Sequence, residues 1–306
     1  MTNHKSFTLI ELLVVIAIIG VLSAIVITSI SGAVTKSRIV RLQVFSDTIR
    51  AQLSDSLVSY WSFNEGIGTD AKDMWEGNNG TLGGGTPDYY PTWKSGGECV
   101  SGSCLEFDGI NDYIDCGSIS SASAGTMESW IKPSGVYNGN RSIMGGSISS
   151  GASVSSRYNL TLCSSYFGSG NWYTTIANGT THQGVNSGQL YNSTNFPVST
   201  WTNLIITYDG LNVSFYKDSV LINTVEQTVS AMGDASPFSI GRIGAFNGFY
   251  FSGLLDEVHI YNSAASITQI QSQYLAGLDK LLSNGAISKS EYNQKIKELS
   301  KSLVIE

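Results

Sequence analysis

The sequence predicts a mainly β protein: a long N-terminal α-helix, then an antiparallel β-sandwich, then a short C-terminal helical segment. Three observations carry this prediction. An unbroken apolar run opens the chain, the hydrophobic period changes from helical to alternating after Leu57, and helical spacing returns after residue 265. The chain has 306 residues, 42% hydrophobic and 13% charged, which is too apolar for disorder and long enough to bury a core. Its 33 glycines, set with Ser, Asn and Thr between short apolar runs, suit many turns joining many strands. From Ala51 onward 12 Lys/Arg stand against 22 Asp/Glu, a net charge of −10, whereas the first fifty residues hold 5 against 2. The bulk therefore repels nucleic acid and anionic surfaces, and no nucleic-acid partner is expected.

The first element is FTLIELLVVIAIIGVLSAIVITSI, Phe7 to Ile30, 24 residues with one charge, Glu11. At about 1.5 Å per residue it spans roughly 36 Å, enough for a hydrocarbon core of about 30 Å. A secretory signal peptide has an apolar region of only about 7–15 residues. Glu11 stands inside the run, where an ionisable group is costly and calls for a partner. Beyond the membrane Ile39, Leu42, Phe45, Ile49 and Leu53 recur at steps of three or four, so one helix of about fifty residues is expected, with half in lipid.

This stretch resembles the type IV prepilin signature: a short hydrophilic leader (MTNHKS), a Phe that becomes residue one, and a Glu four positions later. The resemblance implies cleavage between Ser6 and Phe7 by a prepilin peptidase and methylation of the new amine. It also implies pairing of Glu11 with a subunit's N-terminal ammonium as helices pack in a filament with other pilin subunits. Ser6 stands where the family usually has Gly. Lys36, Arg38 and Arg41 follow the helix, so a positive-inside count would leave the body in the cytoplasm; the prepilin leader and the cysteine pattern place it outside. The expected location is the inner membrane as precursor, with an extracytoplasmic body, and the cell surface or pilus after assembly.

The cysteines are Cys99, Cys104, Cys116 and Cys163. In Cys-Val-Ser-Gly-Ser-Cys, Cys99 and Cys104 are close enough across a flexible Gly to bridge a tight loop, which requires an oxidising compartment. Cys116 and Cys163 form a second bridge or stay buried thiols. A zinc site would need more His or Cys nearby, and the histidines are His4, His182 and His259 alone.

In the body, Leu204, Ile206 and Tyr208 alternate before an Asp209-Gly210 turn, with Val213 and Phe215 after it: a hairpin. Short strands recur in CLEFDG, NDYIDCG, TMESWIKPSG, SRYNLTLC, FSIGRIG and GLLDEVHIYN, and two antiparallel sheets are the natural packing. In order and spacing, YWSFNEGIGTDAKDMWEGNNGTL, LEFDGINDYIDCG, TMESWIKP, WTNLIITYDGLNVSFYKDSVLINT, FSIGR and FSGLLDEVHIYNSAASITQIQSQY resemble the laminin-G-like (concanavalin A-like) jelly rolls. That resemblance implies a jelly roll used for sugar binding, calcium-dependent adhesion or, in some members, glycoside hydrolysis.

Hydrolysis is not expected. Glycosidases of this fold carry Glu-x-Asp-x-x-Glu along one strand, which the chain lacks, and the adjacent Asp256 and Glu257 would point to opposite faces of a strand. His259 reads as a surface residue. Asp256 shares a strand face with Val258 and Ile260, so it is expected to point inward. The resemblance implies a calcium ion around Asp256 with Glu65, Asp73 and Asn79; the alternative is that Asp256 accepts backbone N–H groups in a turn. Aromatic residues crowd the loops at Tyr89, Tyr90, Trp93, Trp172, Tyr173 and Phe249, either to stack on sugars, to anchor a protein partner or to pack the loops locally.

Ile267, Ile270 and Tyr274, then Leu278, Leu281 and Leu282, then Tyr292, Ile296 and Leu299 mark the last element as a helical hairpin. Asn284-Gly285 stops the first helix, and Ser288 with Glu291 forms a capping box for the second. It serves for oligomerisation or packs on the sandwich. The expected organisation is a leader at 1–6, the helix at 7–56 with its membrane part at 7–30, a jelly roll at 57–264 and the tail at 265–306. Two functions follow as expectations: a minor pilin or pseudopilin displaying a binding domain, or a membrane-anchored carbohydrate-binding or adhesive protein outside any filament.

Overall fold

A computed structural model describes residues 9–10, 12–19, 53–119, 123–135, 141–150, 153–163, 171–177, 182–186, 198–226, 237–243 and 248–302. Residues 9–10 and 12–19 are helical, with exposed apolar side chains, but among the described residues no helix is long and apolar enough to cross a membrane. Ser6, Phe7 and Glu11 lie outside the described residues.

The strands in chain order begin with β1 (Leu57–Trp61), β2 (Asp70–Ala71), β3 (Gly80–Leu82), β4 (Thr92–Ser95), β5 (Ser103–Asp108) and β6 (Ile114–Asp115). Next come β7 (Gly125–Pro133), β8 (Arg141–Ser150), β9 (Ser153–Cys163), β10 (Asn171–Ala177) and β11 (His182–Asn186). The last are β12 (Thr202–Tyr208), β13 (Asn212–Lys217), β14 (Val220–Glu226), β15 (Phe238–Ile240) and β16 (Ser252–Tyr261), followed by helices α1 (Ile267–Ser283) and α2 (Lys289–Ser302). One antiparallel sheet runs β14-β13-β12-β7-β16-β5-β4, with β1 also paired to β16; the other runs β11-β10-β9-β8-β15-β6-β3-β2. The predicted β12–β13 hairpin is present, with Leu204 opposite Lys217 and Tyr208 opposite Val213, and Asp209 closes its turn by accepting from Leu211 N and Asn212 N.

Between the sheets lies one apolar cluster that includes Trp61, Phe63, Phe107, Met127, Ile131, Leu204, Ile206, Phe215, Phe238, Leu255, Val258 and Ile260. Burying each such side chain contributes about 1.5–3 kcal/mol, which makes this the main source of stability. β7 sits near the middle of its sheet and is covered on both faces: Met127 and Ile131 enter this core, and Trp130 faces the other way.

The outer face of that sheet carries the helical tail. Tyr274, Leu275, Leu278, Leu281, Tyr292, Ile296 and Leu299 pack on Trp130, Trp201 and Leu254. The tail is therefore a packing element of the body. Gly277 permits the approach: a Cβ there would collide with the Trp130 indole, whose ring stacks on Tyr274 at 5.7 Å. Ser266 with Gln269 and Ser288 with Glu291 close capping boxes on the two helices. Leu53, the end of the N-terminal segment, packs beside Ile270, Ala265, Ile205 and Tyr261 on this outer face.

β16 departs from the expected alternation. Its pairing with β7 shifts between Asp256 and His259, and Glu257 has a φ of 50°, the left-handed conformation of a bulged residue. Leu255, Val258 and Ile260 stay in the core while Leu254 joins the tail cluster, so Asp256 and Glu257 both lie toward the outer side. Asp256 consequently does not share the face of Val258 and Ile260, and the two carboxylates are not on opposite faces.

Candidate functional site

The outer face holds a polar cleft between β1, β7, β16 and α1. The bulge delivers Glu257 into it, and Glu257 Oε2 accepts from Tyr60 Oη at 2.9 Å and Lys280 Nζ at 2.6 Å. On β7, Glu128 Oε1 accepts from Asn203 Nδ2 at 2.9 Å, and its Oε2 lies 3.8 Å from His259 Nδ1. His259 is no surface residue: its ring lies between Tyr60 (4.3 Å, interplanar 6°) and Tyr261 (5.9 Å, 11°). Gln273 Nε2 on α1 donates to Tyr261 Oη at 2.7 Å. All of these residues except Asn203, with Ser54, Leu57, Trp130, Ala276 and Gly277, line a cavity of about 250 Å³. Of its polar residues, the sequence drew attention to Glu257 and His259, without placing them at one site, and not to Tyr60, Glu128, Gln273 or Lys280.

Asp256 lies outside this cavity, at the cystine loop. Its Oδ2 accepts from Val100 N at 2.9 Å and Ser101 N at 3.1 Å, and Oδ1 accepts from Glu257 N at 2.8 Å. Burial, and then the nearby Glu257 charge, push its carboxyl well above the usual range, while the three donors pull it back. The loop is closed by the Cys99–Cys104 disulfide, with Cα atoms 5.4 Å apart. Trp201 Nε1 donates to Glu98 O, and Asn284 Nδ2 donates to Gly96 O and Cys99 O, so sheet and tail both grip the loop. Cys116 is a buried free thiol, its pKa raised by burial.

The first loop contains the other residues of the expected calcium set. Asp73 Oδ1 accepts from Tyr60 N and Trp75 N, and Oδ2 accepts from Glu76 N and Asn78 N. Asn79 Oδ1 accepts from Asp73 N, and Glu65 Oε1 accepts from Lys72 N. Asp73, Asn79 and Glu65 thus organise one loop and Asp256 another. Among the described residues no three His, Cys, Asp or Glu side chains are grouped to hold a metal ion. Asp73 is engaged by four backbone N–H donors and Asp256 by three.

Of the loop aromatics, Tyr90 and Trp93 pack against the core, with Trp93 Nε1 donating to Gly68 O. Tyr89 is 40% exposed and lies 6.2 Å from the Tyr113 ring. Arg242 covers Tyr113, with its Cζ 3.3 Å from the ring centroid, and both side chains are buried. Asp112, buried beside Tyr113, accepts from Asp108 N, and burial pushes its carboxyl up to about 6. Phe249 is half-buried with a φ of 58°, and its carbonyl accepts from Ser142 N. Trp172 and Tyr173 lie in β10; their side chains are outside the described residues.

Comparison with known families and folds places these features. Residues 108–271 match the concanavalin A-like lectin/glucanase superfamily, and residues 1–27 match the prokaryotic N-terminal methylation motif. Similar solved structures include domain 4 of an extracellular arabinanase from Geobacillus stearothermophilus, in complex with arabinotriose. It has 17% identity and a TM-score of 0.53, with 72% of this chain and 98% of that one covered. The binding domain of Paraclostridial mosquitocidal protein 1 has 14% identity and a TM-score of 0.52, with coverage of 74% and 53%. The botulinum neurotoxin serotype G binding domain has 11% identity and a TM-score of 0.50, with coverage of 72% and 51%. The chain thus spans about half of each toxin domain, and at these identities the likeness shows fold alone. The methylation motif implies a membrane-anchored precursor with an extracytoplasmic body, and prepilin peptidase and pilins as partners. With more than half of its length matched, the chain belongs to the concanavalin A-like lectin/glucanase superfamily, and it carries a prokaryotic N-terminal methylation motif at its head.

Proposed function

We propose that the protein is a minor pilin or pseudopilin that enters a filament through its N-terminal helix and displays the jelly roll outside the cell as a binding domain. The observation that carries this is the union on one chain of a methylation motif at residues 1–27 with a lectin-like domain at residues 108–271. In this reading Phe7 becomes the methylated terminus and Glu11 neutralises a terminal ammonium during assembly. The Cys99–Cys104 bridge supports an oxidising, extracytoplasmic setting.

The body works by binding rather than catalysis. Its buried carboxylates at Asp73 and Asp256 are tied to backbone N–H groups, which is a structural use. The exposed Tyr89 ring offers an apolar face suited to stacking on a sugar ring at a cell surface. The arabinanase domain solved with arabinotriose supports the same class of ligand.

Replacement Glu11→Ala tests assembly. Filament incorporation is expected to fall at least tenfold while the precursor still accumulates in the membrane. Undiminished incorporation would instead favour an anchored adhesin that never enters a filament.

A further inference from the structure

The helical tail rests on a loop whose shape depends on one covalent bond. Between β4 and β5 the chain turns through residues 96–102, where Gly96, Gly97 and Gly102 give an unbridged backbone many conformations, and Gly96 and Gly102 take left-handed φ values of 68° and 50°. The Cys99–Cys104 bond draws the tip of this loop back onto β5, on the outer face of the sheet. There the loop offers three carbonyls to its neighbours. Asn284 Nδ2, at the end of α1, donates to Gly96 O at 2.7 Å and Cys99 O at 3.0 Å, and Trp201 Nε1 donates to Glu98 O at 3.0 Å. Gly97 lies against the turn after α1, where a Cβ would stand 3.4 Å from Gly285 O. Both cysteines are fully buried and share one apolar cluster with Tyr274, Leu275, Leu278 and Leu281 of α1. Loop and tail thus cover each other: the tail shields the disulfide, and the bridged loop presents a surface on which the tail docks.

We propose that this disulfide is a redox latch on the tail. With the bond formed, α1 and α2 close the outer face. With the bond reduced, the loop loses the conformation that Asn284 reads, the tail lifts, and Trp130, Trp201 and Leu254 are uncovered together with the cleft under α1. The chemistry balances with a glutathione-type couple: two glutathione thiols are oxidised to one disulfide, their two electrons cleave the Cys99–Cys104 bond, and their two protons end on Cys99 Sγ and Cys104 Sγ. The attacking thiolate must reach a sulfur that the docked tail covers, so reduction proceeds through the undocked state. Linkage makes the coupling reciprocal: whatever factor the bond contributes to docking, docking contributes to the bond. Closure of the body then depends on arrival in an oxidising compartment, which ties the device to the extracytoplasmic setting proposed above; the latch itself is independent of filament entry.

The test uses the full-length chain in detergent, equilibrated in buffers of reduced and oxidised glutathione. Alkylation of Cys99 and Cys104, read by peptide mass, gives the equilibrium constant of the bond, and hydrogen exchange gives the docking of the tail. Reduction is expected to speed exchange in α1 and α2 roughly hundredfold, to leave β7 and β12 slow, and to be reversed by oxidised glutathione. Gly277→Leu, which pushes α1 off the Trp130 indole, is expected to lower the equilibrium constant of the bond roughly tenfold and to speed its reduction by a similar factor. Asn284→Ala, which removes both of the side chain's hydrogen bonds to the loop, is expected to act in the same direction and decides the matter if Gly277→Leu fails to fold. Unchanged exchange in the tail after reduction would overturn the proposal. So would a bond of wild-type strength in folded Gly277→Leu or, where that variant does not fold, in Asn284→Ala. Acceleration in β7 and β12 equal to that in the tail would overturn it too, because the disulfide would then hold the whole fold rather than the tail.

Discussion

The two faces of the β14–β4 sheet are held by different physics. Its inner face meets the second sheet through an uninterrupted apolar cluster, in which Trp61, Leu105, Met127, Leu204, Phe215 and Leu255 are each at most 1% exposed. Its outer face buries Trp130, Leu254 and Trp201 under the helical tail, yet it also buries Glu128, Asp256 and Glu257. An apolar face tolerates exchange as long as volume is kept. A face with buried charges depends on particular donors, and it is the one that forms a cavity. The same sheet thus provides stability on one side and a specific site on the other.

The contrast breaks most visibly at Asp256. Asp256→Ala leaves the N–H groups of Val100 and Ser101 without their acceptor beneath the tail, and is expected to cost about 2–5 kcal/mol, read as a shift in the urea midpoint. A neutral result would show the cystine loop to be held by its disulfide and by Trp201 and Asn284 alone.

Gly277→Ala sharpens the comparison, because it touches only the outer packing. Pushing α1 off the Trp130 indole is expected to cost roughly 1–2 kcal/mol, after the usual gain of about 1 kcal/mol in helix propensity is counted. Hydrogen exchange is expected to rise in α1 and α2 and to stay slow in β7 and β12. Uniform acceleration would mean that the tail and sandwich unfold as one unit.

The smallest effect concerns Asp112, a buried carboxyl that accepts from the N–H of Asp108. Its folded pKa of about 6 lies above the ordinary value. Between about pH 4 and 6 the folded chain therefore holds a proton that the unfolded chain has released, and this contribution to stability declines as pH rises through that window. Asp112→Asn keeps an acceptor without the charge. It is expected to raise stability at pH 7 by about 1 kcal/mol and to have no effect near pH 4, checked by urea denaturation at both values. A destabilised variant at pH 7 would show the charge to be needed.

The inner face was legible because burial on one side imposes strict alternation. Leu204, Ile206, Val213 and Phe215 announced it, and the tail's Tyr274, Leu278, Tyr292 and Ile296 announced a buried helical stripe. The cystine loop was legible from its short spacing. The outer site was not. One bulged residue, Glu257, reverses the facing of Asp256, and no local pattern signals a left-handed φ at a glutamate. The cleft also depends on contacts between distant residues, such as Lys280 with Tyr60, 220 positions away. His259 looked like a surface residue because its stacking partners, Tyr60 and Tyr261, come together only when β1 pairs with β16.

The most direct test of pilin-type assembly is the mass of the N-terminal peptide of membrane-extracted protein, measured with and without the prepilin peptidase. A mature chain beginning at N-methylated Phe7 only when the peptidase is present is the expected result. An unprocessed N-terminus beginning at Met1 in both samples would contradict it and leave the jelly roll as a membrane-anchored binding domain.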